Sequence, residues 1–320
     1  MVNVNFTPDP GDLEILAALR TATGAVSGQV LADRLGISRV ALWKRIQRLN
    51  GFTYRIQGGH GGYRLVEDDA VVPWEFRNGD PVVYRSETGS TMDEAWTLAE
   101  RGAASGTLVI ADRQSAGRGR QGRPWQGAGG SLCLTLVLRP RLPASHAASL
   151  ALEAACVLGE WLEATHGRRL ECHWPNDLMA AGRKVGGLLV ELAGAPEAPR
   201  FYLLGLGLDL RAMDLPDHPA HSPMRRDLAA AFRERMAAWA ETPRLRPGDW
   251  ERRCPQLSRP VALQDWQGRT VTGIARGFAP HGGLILADPA SGTETIFPPE
   301  EVLTIRLADA PPCPETPHDP

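Results

Sequence analysis

Apolar residues recur at helical spacing in DLEILAALR (Leu13, Leu16, Ala17, Leu19) and again in SGQVLADRLGISRVALWKRIQRLN, where Gly36 breaks the pattern into two short helices. Ser27 and Ser38 stand where N-caps belong. In the later helix Val40, Ile46 and Leu49 face inward with Leu42 or Trp43, whereas Ser38, Arg39, Lys44, Arg45 and Arg48 point largely outward. A period of two takes over in YRIQGGHGGYRL, around a glycine-rich turn, as a two-stranded wing requires. Residues 1–68 are therefore expected to form a winged helix-turn-helix with a basic second helix.

Beyond a linker near VEDDAVVPWEFRNGDP, the strand candidates are TLVIA, LCLTLVL, LECHW, LLVELA and FYLLGLGLDL. A helix over about 145–165 carries Leu150, Ala154, Val157, Leu158, Trp161 and Leu162 on one stripe. Hairpin-like strand pairs alternate with helix-separated ones. Residues 69–256 are thus expected to form a mixed β-sheet with helices mainly on one face, not a doubly wound sheet. Residues 257–308 alternate again with Gly/Asp turns, as in a small β-barrel or open sheet. The proline-rich end, 309–320, is expected to be a disordered tail. The fold class that follows is α+β and multidomain.

A chain of 320 residues with 43% hydrophobic content can bury a sizeable core. Its net charge of −2 conceals a segment from Arg34 to Arg64 with seven basic residues and no acidic one. Such a stretch can face a polyanion or remain a solvated helix. The five cysteines are scattered and never in metal-ligand spacing, which argues against a disulfide framework and a zinc site and for a reducing cytoplasm. No export signal or membrane span is indicated.

Three stretches carry candidate chemistry. DRQSAGRGRQGRPW lies between two strands, so its glycines let backbone approach a ligand while Arg118, Arg120 and Arg123 add fork-shaped donors for phosphate or carboxylate oxygens. Neither a Walker loop nor a dinucleotide fingerprint is present, and a solvated Arg/Gly loop fits the local chemistry equally. HWPNDLMAAGRKVGGLLVELAG sets Lys184 before Gly186 and Gly187, as a plain hairpin or as an ammonium beside an anionic ligand whose apolar body packs on bare backbone. In ETGSTMDEA, Ser90 and Thr91 cap a helix or present hydroxyls and N–H groups to a polar ligand.

Taken together, in order, GSTMDEA, DRQSAGRGRQGRPW, WPND, GRKVGGLLVEL, GLGLDL and GRTVTGIARGFAPHGGLIL resemble the bacterial biotin protein ligases, of the bifunctional kind that also acts as biotin-operon repressor. The resemblance covers roughly residues 12–307 and implies a two-step reaction. Biotin and MgATP, with Mg2+ near Asp177, give biotinyl-5′-AMP, and a lysine of the biotin carboxyl carrier protein of acetyl-CoA carboxylase then takes the biotinyl group. It implies Lys184 and Arg118 as catalytic residues. Ser90, Thr91, Gln114, Gly117, Arg118, Lys184, Gly186 and Gly187 would lie around biotin. Arg118, Arg120, Arg123, Trp125, Asn176, Asp177 and Asp209 would lie around the nucleotide, Trp125 covering the adenine. Ser38, Arg39, Lys44, Arg45 and Arg48 would meet operator DNA, one recognition helix of a homodimer per half-site.

Three positions depart from the family pattern: His173 where Lys or Arg usually precedes WPND, Asp209 where the GxGxN strand has an amide, and Gln121 where a further arginine is common. Each lowers positive charge, so weaker ATP or adenylate binding is expected. Two competing functions have different signatures. A pure transcription factor would not need Lys184 and the full arginine loop, and a ligase without DNA binding would not need four basic residues on one helix.

Overall fold

Capping decides where the first helices start. In the computed structural model, which describes residues 8–125, 127, 130–213 and 224–308, α1 (Pro10–Thr21) opens on a capping box between Asp9 and Asp12. Ser27 and Ser38 cap α2 (Gly28–Leu35) and α3 (Arg39–Asn50), as expected. The wing follows as β1 (Tyr54–Gly59) and antiparallel β2 (Gly62–Asp68). Ile15, Leu16, Leu31, Leu42, Ile46 and Leu49 form the core of this three-helix fold. Val40, expected inside, is 65% exposed, and of the alternatives Leu42 and Trp43 it is Leu42 that takes the inward position while Trp43 is 52% exposed.

A seven-stranded mixed sheet follows, built from β3 (Val82–Thr88), β4 (Thr107–Gln114), β5 (Leu132–Leu138), β6 (Glu171–His173), β7 (Asp177–Ala180), β8 (Arg183–Ala195) and β9 (Ala198–Leu208). Its order is β3-β4-β5-β9-β8-β7-β6, with β3 and β4 parallel and β4–β5, β6–β7 and β7–β8 antiparallel. The helices of this region are α4 (Thr91–Glu100), α5 (Ala147–His166), α6 (Met224–Glu241) and α7 (Pro247–Arg253). β5 is buried at every position, which is why LCLTLVL reads as a continuous apolar run instead of an alternating one.

The closing residues form one antiparallel sheet of β10 (Pro260–Asp265), β11 (Thr270–Phe278), β12 (Leu284–Ala287), β13 (Glu294–Phe297) and β14 (Val302–Leu307), in the order β13-β12-β11-β10-β14. The two end strands do not pair with each other among the described residues, so the expected small barrel is here an open five-stranded sheet. The tail expected over 309–320 lies outside the described residues.

By internal contacts the chain divides into two compact units, residues 1–138 with 205–238, and residues 139–204 with 239–320. Within the first, Asp112 near the end of β4 accepts hydrogen bonds from Tyr84, from Thr53 (3.0 Å) and from the Arg225 guanidinium (2.9 Å). Thr53 belongs to the turn between α3 and β1, where it holds φ +68°, an unusual value for a β-branched residue. Phe52 beside it meets Trp74 edge-on with ring centroids 5.0 Å apart. Within the second unit, Glu153 on α5 is fully buried and accepts from the Arg246 backbone, from Arg246 Nε (3.0 Å) and from Trp250 Nε1 (2.9 Å), which fastens α7 to α5.

Candidate functional site

In the first unit β4 ends at Gln114, in register with Thr88 of β3, and the chain continues alongside the turn into α4 through Ser115 N–H to Thr88 O (2.9 Å) and Ala116 N–H to Gly89 O (2.8 Å). The same turn presents Ser90, which caps α4 by accepting from the Met92 N–H, and Thr91. Both the capping role and the proximity to Gln114 hold at once. Gln114 Oε1 accepts from Thr91 N–H (2.7 Å) and from Thr91 Oγ1 (2.9 Å). Behind them Thr135, fully buried on β5, reaches Thr91 Oγ1 at 2.9 Å. Sequence reasoning missed Thr135, although a single hydroxyl in an otherwise apolar strand was the visible signal.

The arginine segment is a hairpin-like excursion. Trp125 N–H bonds to Gly117 O (2.8 Å), Gly119 N–H bonds to Arg123 O (2.8 Å), and Gln121 and Gly122 turn the chain in the left-handed region at φ +65° and +71°. A side chain on Gly117 would meet Trp125 O at 2.6 Å and Gln114 Nε2 at 2.8 Å, so only glycine lets the excursion close over Gln114. The Trp125 indole lies on β9, where a Cβ on Gly207 would stand 2.4 Å from the ring. The glycine of GLGLDL therefore makes room for this tryptophan. Arg118 donates to Asp93 of α4 at 2.6 Å and lies 3.4 Å from Ser90 Oγ. Asp209, expected near the nucleotide, accepts from the N–H groups of Arg211 (3.0 Å) and Ala212 (3.3 Å) and so caps the turn that follows β9.

In the second unit WPND forms the turn between β6 and β7. Trp174 is 1% exposed, joins a cis peptide to Pro175, and is tied by its N–H to Gln256 (2.7 Å) and by its indole to Gly282 O (2.9 Å). Asn176 bonds across to the Leu188 carbonyl at 2.9 Å, a strand-bridging task for an amide expected near the nucleotide. The hairpin of β7 and β8 turns at Ala181 and Gly182, and across it Lys184 Nζ stands 2.6 Å from Asp177 Oδ1. Gly187 faces Asp177 in the same ladder, and Gly186 faces Leu178. His173 lies 3.8 Å from Glu171, and burial pushes its pKa below the ordinary histidine value against the pull of Glu171 and Asp177. The shift favours the uncharged ring over the imidazolium.

Both expected catalytic cations thus sit in ion pairs with acidic neighbours. Lys184 and Asp177 are 51% and 37% exposed, and Arg118 and Asp93 are 28% and 66% exposed. Pairs this open contribute about 0–1 kcal/mol, so an anionic ligand can take over either cation at little cost.

On the winged helix the expected DNA set divides. Arg45 is held by Asp9, and Arg48, still 41% exposed, donates to Asp12 at 2.6 Å, so both also brace α3 against α1. Ser38 is the N-cap of α3. Arg39 shares a groove with exposed Trp43, with Gln47 and with His60 of the wing.

A family model described as "HTH domain" matches residues 12–64, and one described as "Biotin/lipoate A/B protein ligase family" matches residues 84–209. The bifunctional ligase/repressor BirA of Escherichia coli is 30% identical over 286 residues, covering 81% of this chain and 87% of that protein. The chain belongs to the biotin protein ligase family. Other members of the biotin protein ligase family include the biotin--[acetyl-CoA-carboxylase] ligase of Paracoccus denitrificans, 32% identical over 68% of this chain and 98% of that protein. The bifunctional ligase/repressor BirA of Bacillus spizizenii is 33% identical over 60% of this chain, and the match spans 63% of that relative's length. The family fold is also that of the Aquifex aeolicus biotin protein ligase solved with biotin and ATP, at a TM-score of 0.56 and 23% identity over 73% of this chain and all of that one.

Proposed function

We propose that this chain activates biotin with ATP to biotinyl-5′-AMP, releasing pyrophosphate, and passes the biotinyl group to a lysine of the biotin carboxyl carrier protein of acetyl-CoA carboxylase. What carries the reading is that GRGRQGR and GRKVGG keep Arg118 and Lys184, each in an exchangeable ion pair, in a chain of this family. Attack of a carboxylate on the α-phosphorus brings two anions together, and positioned cations lower that barrier. Lys184 serves as the compact charge between the biotin carboxylate and the α-phosphate, while Arg118 holds the phosphate with Arg120 and Arg123 beside it. Ser90, Thr91 and Gln114 orient the ureido ring, and Gly186 and Gly187 give its apolar body a floor. A Mg2+ ion bound with the ATP would neutralise part of the phosphate charge. Asp177 is the carboxylate this chain offers such an ion, and no three acidic, histidine or cysteine side chains cluster among the described residues.

The test is to incubate the protein with biotin, MgATP and a carrier domain and to follow adenylate and biotinyl-lysine separately. Adenylate without biotinyl-lysine would leave a biotin sensor, and neither product would refute the reading. Burial disfavours the charged form of His173 beside the WPND turn, so His173→Lys should lower the KM for ATP several-fold and leave that for biotin unchanged. An unchanged ATP value would free this position from blame for weak nucleotide binding.

The winged helix extends the proposal to repression of the biotin operon by a homodimer whose α3 helices each read one half-site. Among the described residues no helix is long and apolar enough to cross a membrane, and the reading places the protein in the cytoplasm. Arg39→Ala and Lys44→Ala should each weaken operator binding and reduce the salt slope of log K by about one. Arg48→Ala should instead lower the melting temperature, because it takes a partner from buried Asp12. Mobility shifts over a salt series and thermal melts separate these outcomes.

A further inference from the structure

Thr135 is the single hydroxyl of β5, fully buried, with its oxygen 2.9 Å from that of Thr91. The direction of each hydrogen bond around it follows from one fixed donor. The Thr91 backbone N–H can only donate, and it points at one end of the Gln114 amide from 2.7 Å, so that end is the oxygen. An amide oxygen can only accept, so the Thr91 hydroxyl, 2.9 Å away, gives it its proton. Having done so, the Thr91 oxygen can only accept from Thr135. The result is a one-way chain from the Thr135 hydroxyl through the Thr91 hydroxyl to the Gln114 oxygen. Two hydrogen bonds occupy that oxygen, and the amide nitrogen is left facing Gly117, at 2.8 Å from where a Cβ there would stand.

We propose that Thr135 is a positioning residue for biotin: by donating to Thr91 it holds the Thr91 hydroxyl turned onto the Gln114 oxygen, and so secures the second of the two bonds that keep the other end of that amide toward the ligand. The inference rests on the reading of Gln114 as a biotin-binding residue. Without the Thr135 proton the Thr91 hydroxyl loses the donor that orients it, and the second of the two bonds that hold the Gln114 oxygen inward is weakened. The proposed function sets Thr91 and Gln114 at the ureido ring, so the effect of Thr135 is expected on biotin.

Two substitutions in the full-length protein separate positioning from packing. Thr135→Val keeps the shape and loses the hydroxyl. Thr135→Ser keeps the hydroxyl and loses a buried methyl. The valine variant should raise the KM for biotin about five- to tenfold, the effect of one buried hydrogen bond, with the KM for ATP and kcat within about twofold of wild type. The serine variant should melt at a lower temperature yet show the wild-type KM for biotin. If KM instead follows melting temperature, or if the valine variant binds biotin as wild type does, the proposal is overturned. Calorimetric titration with biotin alone reads the same three proteins without turnover. Biotin binding that is weakened only in the valine variant would sustain the inference even if no biotinyl-lysine forms, whereas a wild type that binds no biotin would remove both it and the reading beneath it.

Discussion

Replacing Lys184 by glutamine should slow adenylate formation by about two to three orders of magnitude, the usual loss when one positioned charge or donor at a reacting centre is removed. The folded protein should barely notice. Lys184 is half exposed and its partner Asp177 is open to solvent, so the lost ion pair changes the melting temperature little. Binding of biotin alone should weaken far less than the rate, because the proposed site gives the ureido ring and apolar body other partners. The expected pattern is a collapse in kcat for pyrophosphate release at nearly constant stability. Arginine should not restore it, since a planar fork does not replace a compact ammonium between two anions. A Lys184→Gln enzyme that releases pyrophosphate at the wild-type rate would take this residue out of the chemistry and move the burden to the arginine loop.

The largest effect on stability is expected far from that chemistry. Glu153→Ala should cost about 3–4 kcal/mol, because it leaves the Arg246 guanidinium and the buried Trp250 N–H short of their acceptor. Glutamine in the same place should cost much less. Burial raises the pKa of Glu153 above its ordinary value, against the opposing pull of Arg246 and Trp250. The folded state thus holds its proton longer than the unfolded chain does, and the contribution of Glu153 to stability falls as pH rises through the raised folded value. The Glu153→Gln variant lacks that decline, so the gap between the two proteins should shift in favour of glutamine as pH rises above about 4.5, the ordinary value for a glutamate. Denaturant melts of the three proteins at several pH values measure this. An alanine variant within 1 kcal/mol of wild type would show that the pocket closes over the loss.

Much of this architecture was legible in the chain. The helix starts at Ser27 and Ser38 are local matters of hydroxyl and backbone, and they stand where the sequence puts them. The arginine loop and the WPND turn were likewise marked by their glycines and proline. What escaped depended on partners distant in sequence. Arg45 and Arg48 look like free charge on a basic helix until Asp9 and Asp12, more than thirty residues earlier, come to lie against them. Val40 and Leu42 are equally apolar, and only tertiary packing decides which of them turns inward. The charge lost at Gln121 has another side, since that residue turns the arginine excursion in the left-handed region.

Asp112 gives the winged helix a second meaning. Its donors come from the turn after α3, from β3 and from the start of α6, and Phe52 next to that turn meets Trp74 in the linker. A gene that begins after residue 68 would code for a sheet that has lost a fastening two residues from Gln114. The winged helix and the sheet beside it, which read as separable modules on paper, share a carpentry joint, and a surgeon of this protein should expect the cut to be felt on both sides.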